Sequence, residues 1–282
     1  MKTPKKNKLV QPVVKWAGGK RQLLQEIDKY IPQRISTYYE PFLGGGALLY
    51  HLQPRRAIVS DTNKELINVY NVIRDNVEEL ILDLSQHVNT EEHYYYVREM
   101  DRLPEYEQMS NIQKASRIIY LNKTCYNGLF RVNSQGQFNV PYGKYKKPNI
   151  INDIVLRAVS GFLKSNDIRF LNVDYEESLY GIRRGAFVYF DPPYDPISDT
   201  SSFTGYTLDG FGRDEQLRLK QVCDRLNQKG IKFLLSNSAT PFIKKLYADY
   251  IVEIVGANRS INSNAGNRGE INEVLVRNYD VD

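Results

Sequence analysis

Four acidic residues of the 282-residue chain stand where an acid can do chemistry: Glu40, Asp61, Asp174 and Asp191 each follow a short apolar or β-branched run. In open α/β sheets, ligands bind in the crevice outside the carboxyl ends of the strands, so acids at those ends line it. A single strand-end acid is equally well a helix cap; four of them describe one lined cleft. Asp191 has the most constrained setting. Phe187, Val188, Tyr189 and Phe190 read as a buried strand, and the prolines that stop it, Pro192 and Pro193, also fix the backbone beside the carboxylate. Tyr194 then adds an aromatic face.

After Glu40 the chain runs Pro-Phe-Leu-Gly-Gly-Gly-Ala-Leu-Leu-Tyr, a strand end followed by Gly44, Gly45 and Gly46 and then a helix start. Glycines there let a ligand approach the backbone and leave the helix N-terminus facing it. The spacing is not G-x-G-x-x-G, and Asp61 at the next strand end suits ribose hydroxyls. Together they favour a nucleoside-containing cofactor without a pyrophosphate over NAD. The Trp-Ala-Gly-Gly-Lys run at 16–20 is superficially a phosphate loop, but that pattern requires glycine and Ser/Thr where Val14 and Arg21 stand. Lys20 can still meet a carboxylate there, and Trp16 can pack on a ring. His51, His87 and His93 lack ligand spacing, so no metal is expected.

The net charge of +5 is unevenly spread. From Gln108 to Asn152 there is no Asp or Glu, while Lys114, Arg117, Lys123, Arg131, Lys144, Lys146 and Lys147 give the window +7 and leave −2 for the rest. So one-sided a block favours a polyanionic partner over a merely solvated surface. No 18-residue apolar run exists, so no membrane span is expected. The basic start lacks the apolar core and cleavage site of a signal peptide. Cys125 and Cys223 form no CxxC pair and read as free thiols of a reducing cytoplasm. Cys223 shares helical spacing with Leu219, Val222 and Leu226, which predicts a core position.

Seven runs predict strands, at 35–40, 57–60, 168–173, 186–190, 231–236, 250–255 and 271–278, and helical periodicity marks 20–30, 63–82, 152–164, 214–229 and 240–248. Alternation of the two predicts an α/β fold with a mostly parallel seven-stranded sheet. The last two strands, separated by a polar, Gly-rich stretch, predict an antiparallel hairpin at the sheet edge. Between the second and third strands lie more than one hundred residues of helical stretches and a hairpin with a Gln-Gly turn at 135–136. This insertion is expected to be a mainly helical recognition domain with a β-hairpin, at 67–148, set into a catalytic domain formed by 1–66 and 149–282.

With Asp-Pro-Pro-Tyr at 191–194, Glu-Pro-Phe before the glycine triplet, Trp-Ala-Gly-Gly-Lys and a basic hairpin, the chain resembles the Dam family of DNA adenine-N6 methyltransferases. That family includes the Dpn-type enzymes of restriction–modification systems, and the order of motifs is that of its alpha group. The resemblance runs from Val13 to Tyr279. It implies a Rossmann-like methyltransferase fold, S-adenosyl-L-methionine (SAM) as cofactor, double-stranded DNA as partner, neither metal nor membrane, a cytoplasmic setting, and room for a cognate restriction endonuclease in the same system. By position, Trp16 and Lys20 resemble the family's cofactor contacts, with Lys20 on the methionine carboxylate. Glu40 and Gly44 to Gly46 resemble the loop around the methionine moiety. Asp61 matches the ribose acid, and Asp174 and Tyr175 match the pair that holds the cofactor adenine, with tyrosine where phenylalanine is frequent.

The chemistry of such a reaction suits Asp191. An exocyclic adenine amine is a poor nucleophile because its lone pair is delocalised into the ring. Acceptors that take both of its hydrogens free that pair for the methyl group, and Asp191 with the Pro192 carbonyl would supply them. Transfer is then an in-line displacement helped chiefly by positioning. Tyr194 offers a face for a flipped-out base, and Asp191 also borders the cofactor. Neither cysteine follows a proline, which argues against a cytosine-C5 enzyme. The hairpin resembles the read-out element of enzymes that methylate GATC. The resemblance assigns Arg131 to a guanine edge, a contact worth about 1–3 kcal/mol of discrimination. It assigns Leu129 and Pro141 to a thymine methyl, Tyr126 and Asn127 to the space the flipped base vacates, and Lys15, Lys144 and Tyr145 to further DNA contacts. The Ser/Thr-rich stretch 197–207 suits a flap over DNA. Cytosine-N4 methylation, RNA adenine methylation and a non-catalytic DNA-binding role on this fold stay open at this point.

Overall fold

The computed structural model of the chain describes residues 6–16, 18, 20, 23–197, 211–257 and 271–281. Ala17 and Gly19 of the Trp-Ala-Gly-Gly-Lys run, residues 198–207 of the expected flap and the Gly-rich stretch 258–269 lie outside the described residues. Seven strands form: β1 Tyr38–Glu40, β2 Arg56–Ser60, β3 Asp167–Leu171, β4 Phe187–Phe190, β5 Lys232–Ser238, β6 Ile251–Ala257 and β7 Ile271–Arg277. Their order in the sheet is β3-β2-β1-β4-β5-β7-β6. β1 pairs parallel with β2 and β4, and β4 with β5, while β7 runs antiparallel between β5 and β6. The mostly parallel sheet and its antiparallel edge pair are as the residue pattern predicts. β4 is buried along its whole length, as a central parallel strand covered on both faces requires. The chain order reverses between β1 and β4, the place where such sheets take ligands. Glu40 ends β1 and Asp191 follows β4.

The helices are α1 Leu24–Asp28, α2 Ala47–Leu52, α3 Lys64–Asp75, α4 Val77–Leu84, α5 Glu91–Glu99, α6 Asn111–Thr124, α7 Asp153–Lys164, α8 Arg213–Gln228 and α9 Pro241–Leu246. The single helix predicted over 63–82 is two. Asn76, at φ −132° and ψ 44°, leaves the helical region and divides α3 from α4.

The chain forms two compact units. One comprises Met1–Gly19, Leu43–Arg55 and Ser60–Val173; the other comprises Lys20–Phe42, Arg56–Val59 and Asp174–Asp282. In the first, α3 packs on α6 and α7, and α4 on α6. A capping box between Ser110 and Gln113 starts α6. Cys125 and Tyr142, and Val132 and Phe138, bridge the expected hairpin. The hairpin's tight turn carries the Asn133 carbonyl to the Gly136 N–H at 2.9 Å. In the second unit, Leu219, Val222, Cys223 and Leu226 of α8 lie in one buried cluster with Val188 and Phe190 of β4, Phe233 and Leu235 of β5, and Val274 and Val276 of β7. The spacing of those α8 residues is one helical face, and Cys223 sits in the core as predicted. Among the described residues, no helix is long and apolar enough to cross a membrane, and no cluster of His, Cys, Asp or Glu could hold a metal.

Candidate active site

In the second unit the side chains gather on Asp191. Lys20 Nζ lies 2.8 Å from Asp191 Oδ1 and 4.4 Å from the centroid of the Tyr194 ring. Ser236 Oγ of β5 donates to the same carboxylate oxygen at 3.0 Å and lies 3.0 Å from the Tyr189 hydroxyl of β4. Burial pushes the Asp191 carboxyl above its ordinary range, and the Lys20 charge and the two hydrogen bonds pull against that rise. The turn is fixed from behind. Gln216 Nε2 of α8 donates to the Pro193 carbonyl at 2.8 Å, and Asn237 Nδ2 donates to Gln216 Oε1 at 3.1 Å. Pro192 is buried. The Tyr194 hydroxyl donates to Glu273 Oε2 of β7 at 2.8 Å. Glu40 is buried, accepts the Tyr38 hydroxyl at 2.9 Å, and lies on the strand adjacent to β4.

Asp174 and Tyr175 form another group in this unit. Arg218 of α8 donates to Asp174 Oδ1 at 2.7 Å and to Oδ2 at 3.2 Å, and its guanidinium stands 4.7 Å from the centroid of the Tyr175 ring. That ring stacks on Phe42 at 5.0 Å and is buried. Burial is the main force that raises the pKa of its hydroxyl, with Glu215 adding to the rise and Arg218 opposing it.

In the first unit, the glycine loop is clamped. The Gly44 N–H donates to Asp61 Oδ2 at 2.9 Å, and the Gly44 carbonyl accepts the Tyr70 hydroxyl at 2.5 Å. Asp61 Oδ1 accepts the Asn63 N–H at 2.9 Å. Gly44 has φ +49° and Gly46, before α2, φ +67°, both in the left-handed region that favours glycine. A Cβ at Gly44 would stand 2.9 Å from Trp16 Cδ1, and one at Gly45 would stand 3.3 Å from Trp16 Cβ. Trp16 in turn stacks on Phe130 at 4.8 Å.

The hairpin groups most of the residues assigned to DNA. The buried Asn122 accepts the Lys15 N–H at 2.8 Å and donates to the Lys15 and Gly128 carbonyls at 2.8 and 3.1 Å, which ties the Lys15 segment to the hairpin. Lys15 Nζ lies 5.9 Å from the centroid of the Tyr145 ring, and the Tyr145 hydroxyl accepts the Asn127 N–H at 3.0 Å. Asn127 and Lys144 hold φ of 57° and 54°, a conformation that non-glycine residues adopt mainly where the surroundings enforce it. The exposed Arg131 is braced by Asn139, whose Oδ1 accepts from its Nε at 2.8 Å. Tyr126 and Pro141 are exposed, with the Tyr126 N–H donating to the Pro141 carbonyl at 2.8 Å, and Leu129 is half-buried.

Arg117 departs from the charge reading. It is buried, with an ion pair of 2.8 Å to Asp101 and hydrogen bonds to the Val97 and Arg98 carbonyls, so it braces α6 rather than facing a polyanion. Ser236, Gln216, Asn122 and Glu273 are common residue types in ordinary runs, and no local pattern in the sequence marks them.

The chain belongs to the D12 class of N6 adenine-specific DNA methyltransferases, whose family model matches residues 16–261. It is 43% identical over 277 residues to the type II methyltransferase M1.LlaDCHI of Lactococcus lactis subsp. cremoris, covering 97% of this chain and 98% of that one. It is 40% identical to the type II methyltransferase M.MjaIII of Methanocaldococcus jannaschii, covering 96% and 99% of the two chains. The DNA adenine methylase of Escherichia coli K12 is 33% identical, covering 93% of each.

Proposed function

We propose that this chain transfers a methyl group from SAM to N6 of an adenine flipped out of duplex DNA, and that the target lies in GATC. The observation that carries the reading is the Asp191 carboxylate, held at the end of β4 by Lys20 and Ser236 and followed by a braced Pro-Pro turn. Asp191 and the Pro192 carbonyl accept the two amine hydrogens, which releases the nitrogen lone pair. Tyr194 stacks on the extruded base.

Trp16, Lys20, Glu40, Gly44, Gly45, Gly46, Asp61, Asp174, Tyr175 and Asp191 are assigned to the cofactor. The glycine loop suits that assignment: packed against Trp16 at Gly44 and Gly45 and against Tyr50 at Gly46, it has no room for side chains of its own, and Asp61 accepts the Gly44 and Asn63 backbone hydrogens. Lys20 carries three hydrogens, enough to serve the cofactor's carboxylate together with Asp191. When bound, SAM supplies an electrophilic methyl group. Residues 67–148 are assigned to target recognition, with Arg131, Leu129, Pro141, Tyr126, Asn127, Lys15, Lys144 and Tyr145 as the DNA contacts. Residues 1–66 and 149–282 are assigned to catalysis. With DNA as the substrate, the reading assigns the enzyme to the cytoplasm.

The test is methylation of a plasmid by the purified protein, followed by digestion with endonucleases that differ in sensitivity to GATC methylation. Protection of GATC sites and N6-methyladenine as the product nucleoside are expected. Asp191→Ala should abolish transfer while DNA binding survives. Unprotected GATC sites would refute the target, and an active Asp191→Ala would refute the catalytic role.

A further inference from the structure

We propose that Glu273 is a positioning residue for methyl transfer: by accepting the Tyr194 hydroxyl hydrogen, it sets the plane of the ring on which the target adenine stacks. The inference rests on the reading of Tyr194 as that ring. Glu273 lies on β7, opposite Ser238 of β5 and Val255 of β6, and is only 6% exposed. A carboxylate in such a place is costly unless it is hydrogen-bonded, and Tyr194 supplies a bond of 2.8 Å.

The backbone at Tyr194 is already fixed by Pro192, Pro193 and the Gln216 bond to the Pro193 carbonyl. That leaves the side-chain torsions of Tyr194, whose hydroxyl donates to Glu273. Glu273 tethers the far end of the ring, and Lys20 stands over it at 4.4 Å from the centroid. The hydroxyl keeps its proton: burial first, then the Asp191 and Glu273 charges, push its pKa well up, so Tyr194 is the donor. In an in-line displacement the base must meet the methyl group within a narrow range of angles. A tilted ring therefore lowers turnover without disturbing cofactor binding.

The test compares Glu273→Gln, Glu273→Ala, Tyr194→Phe, Tyr194→Ala and the double variant Glu273→Ala/Tyr194→Phe. The probes are plasmid DNA and tritiated SAM, read as kcat and the KM for SAM. Glu273→Ala and Tyr194→Phe should each lower kcat by about tenfold with the KM for SAM unchanged within about twofold, and the double variant should be no slower than either single one. Glu273→Gln keeps an acceptor and should restore most of the loss. The inference is overturned if the two losses multiply, if Glu273→Ala turns over like the parent, or if the KM for SAM rises in step with the fall in kcat. Tyr194→Ala separates the two claims. If it leaves kcat intact, the stacking reading itself fails; if it abolishes kcat while Glu273→Ala does not lower it, only the role of Glu273 fails. Should Glu273→Ala not fold, Tyr194→Phe and Glu273→Gln decide: a tenfold loss in the first with near-parental kcat in the second supports the inference, and an undiminished Tyr194→Phe overturns it.

Discussion

Asp191 must be ionised to accept amine hydrogens, yet burial raises its pKa above the ordinary aspartate range and Lys20 is the largest force holding it down. On the proposed mechanism the protonated form is inactive, so kcat is expected to fall as pH drops through that raised value. Lys20→Met removes the opposing charge, and the acid limb of the kcat profile is expected to move to higher pH. Rates measured across the pH range at saturating SAM check this, and a limb in the parent position would remove Lys20 from the electrostatics of Asp191. The same shift has a sign for stability: a carboxyl whose folded pKa is raised favours folding most below its unfolded pKa, and the benefit is lost as pH rises through the folded value. At this scale the sequence exposes residues whose neighbours in the chain constrain them. Asp191 stands out because two prolines follow it. Ser236 and Glu273 do not, since their partners Asp191 and Tyr194 lie 45 and 79 positions away. Lys20 is recognisable as a cation able to meet a carboxylate, but its ion pair with Asp191 follows only from the folded chain.

Between elements, two of the three histidines expected to have no metal-ligand spacing, His87 and His93, are joined to each other. His87, between α4 and α5, lies with Nδ1 2.9 Å from Nε2 of His93 on α5 and with Nε2 3.1 Å from Ser116 Oγ on α6. Its ring stacks on Tyr120 of α6 at 4.4 Å. Burial, and then the neighbouring His93, lower its pKa to about 4, while Asp83 opposes the change; burial also lowers that of His93. Both rings are therefore neutral in the folded chain over a range where the unfolded chain takes up protons. The packing of α5 on α6 is at full strength above about pH 6.5 and loses stability as pH falls toward 4, by roughly 2–3 kcal/mol for His87. Thermal unfolding of the parent and of His87→Gln across this window checks it, the difference between them removing the contribution of the carboxylates. Equal slopes would refute the assignment. The 3.6-residue spacing marked α3 and α4 as one stretch, whereas α5 and α6 were legible only as helical stretches without bounds. The break at Asn76 was written there too: an asparagine followed by Val-Glu-Glu is a helix start, although the continuous apolar stripe across it reads as one helix.

For the whole molecule, all seven strands were legible because a buried sheet demands short apolar or β-branched runs, each with a stop signal. The two compact units were not: each is assembled from separated segments, and no change of composition marks the junctions at 42–43 or 59–60. The charge distribution was legible as a sum and misleading in its parts, since Arg117 spends its charge on Asp101 inside the helical packing. The proposed electrostatic footprint for DNA therefore rests on the exposed cations Arg131, Lys144, Lys146 and Lys147, in the hairpin and just C-terminal to it. Each phosphate neutralised releases counterions, so log K for DNA should fall with log salt by about 0.9 per contact. If Lys146 and Lys147 each meet a phosphate, Lys146→Ala/Lys147→Ala should reduce that slope by about 1.8 and weaken all duplexes alike. Arg131→Ala should instead narrow the gap between target and non-target duplexes, by about 1–3 kcal/mol if it reads a guanine edge. Fluorescence anisotropy with both duplexes at several salt concentrations separates the two behaviours. A double-lysine variant with the parental slope would take these lysines out of the interface, and an Arg131→Ala that weakens every duplex equally would make that residue a phosphate contact.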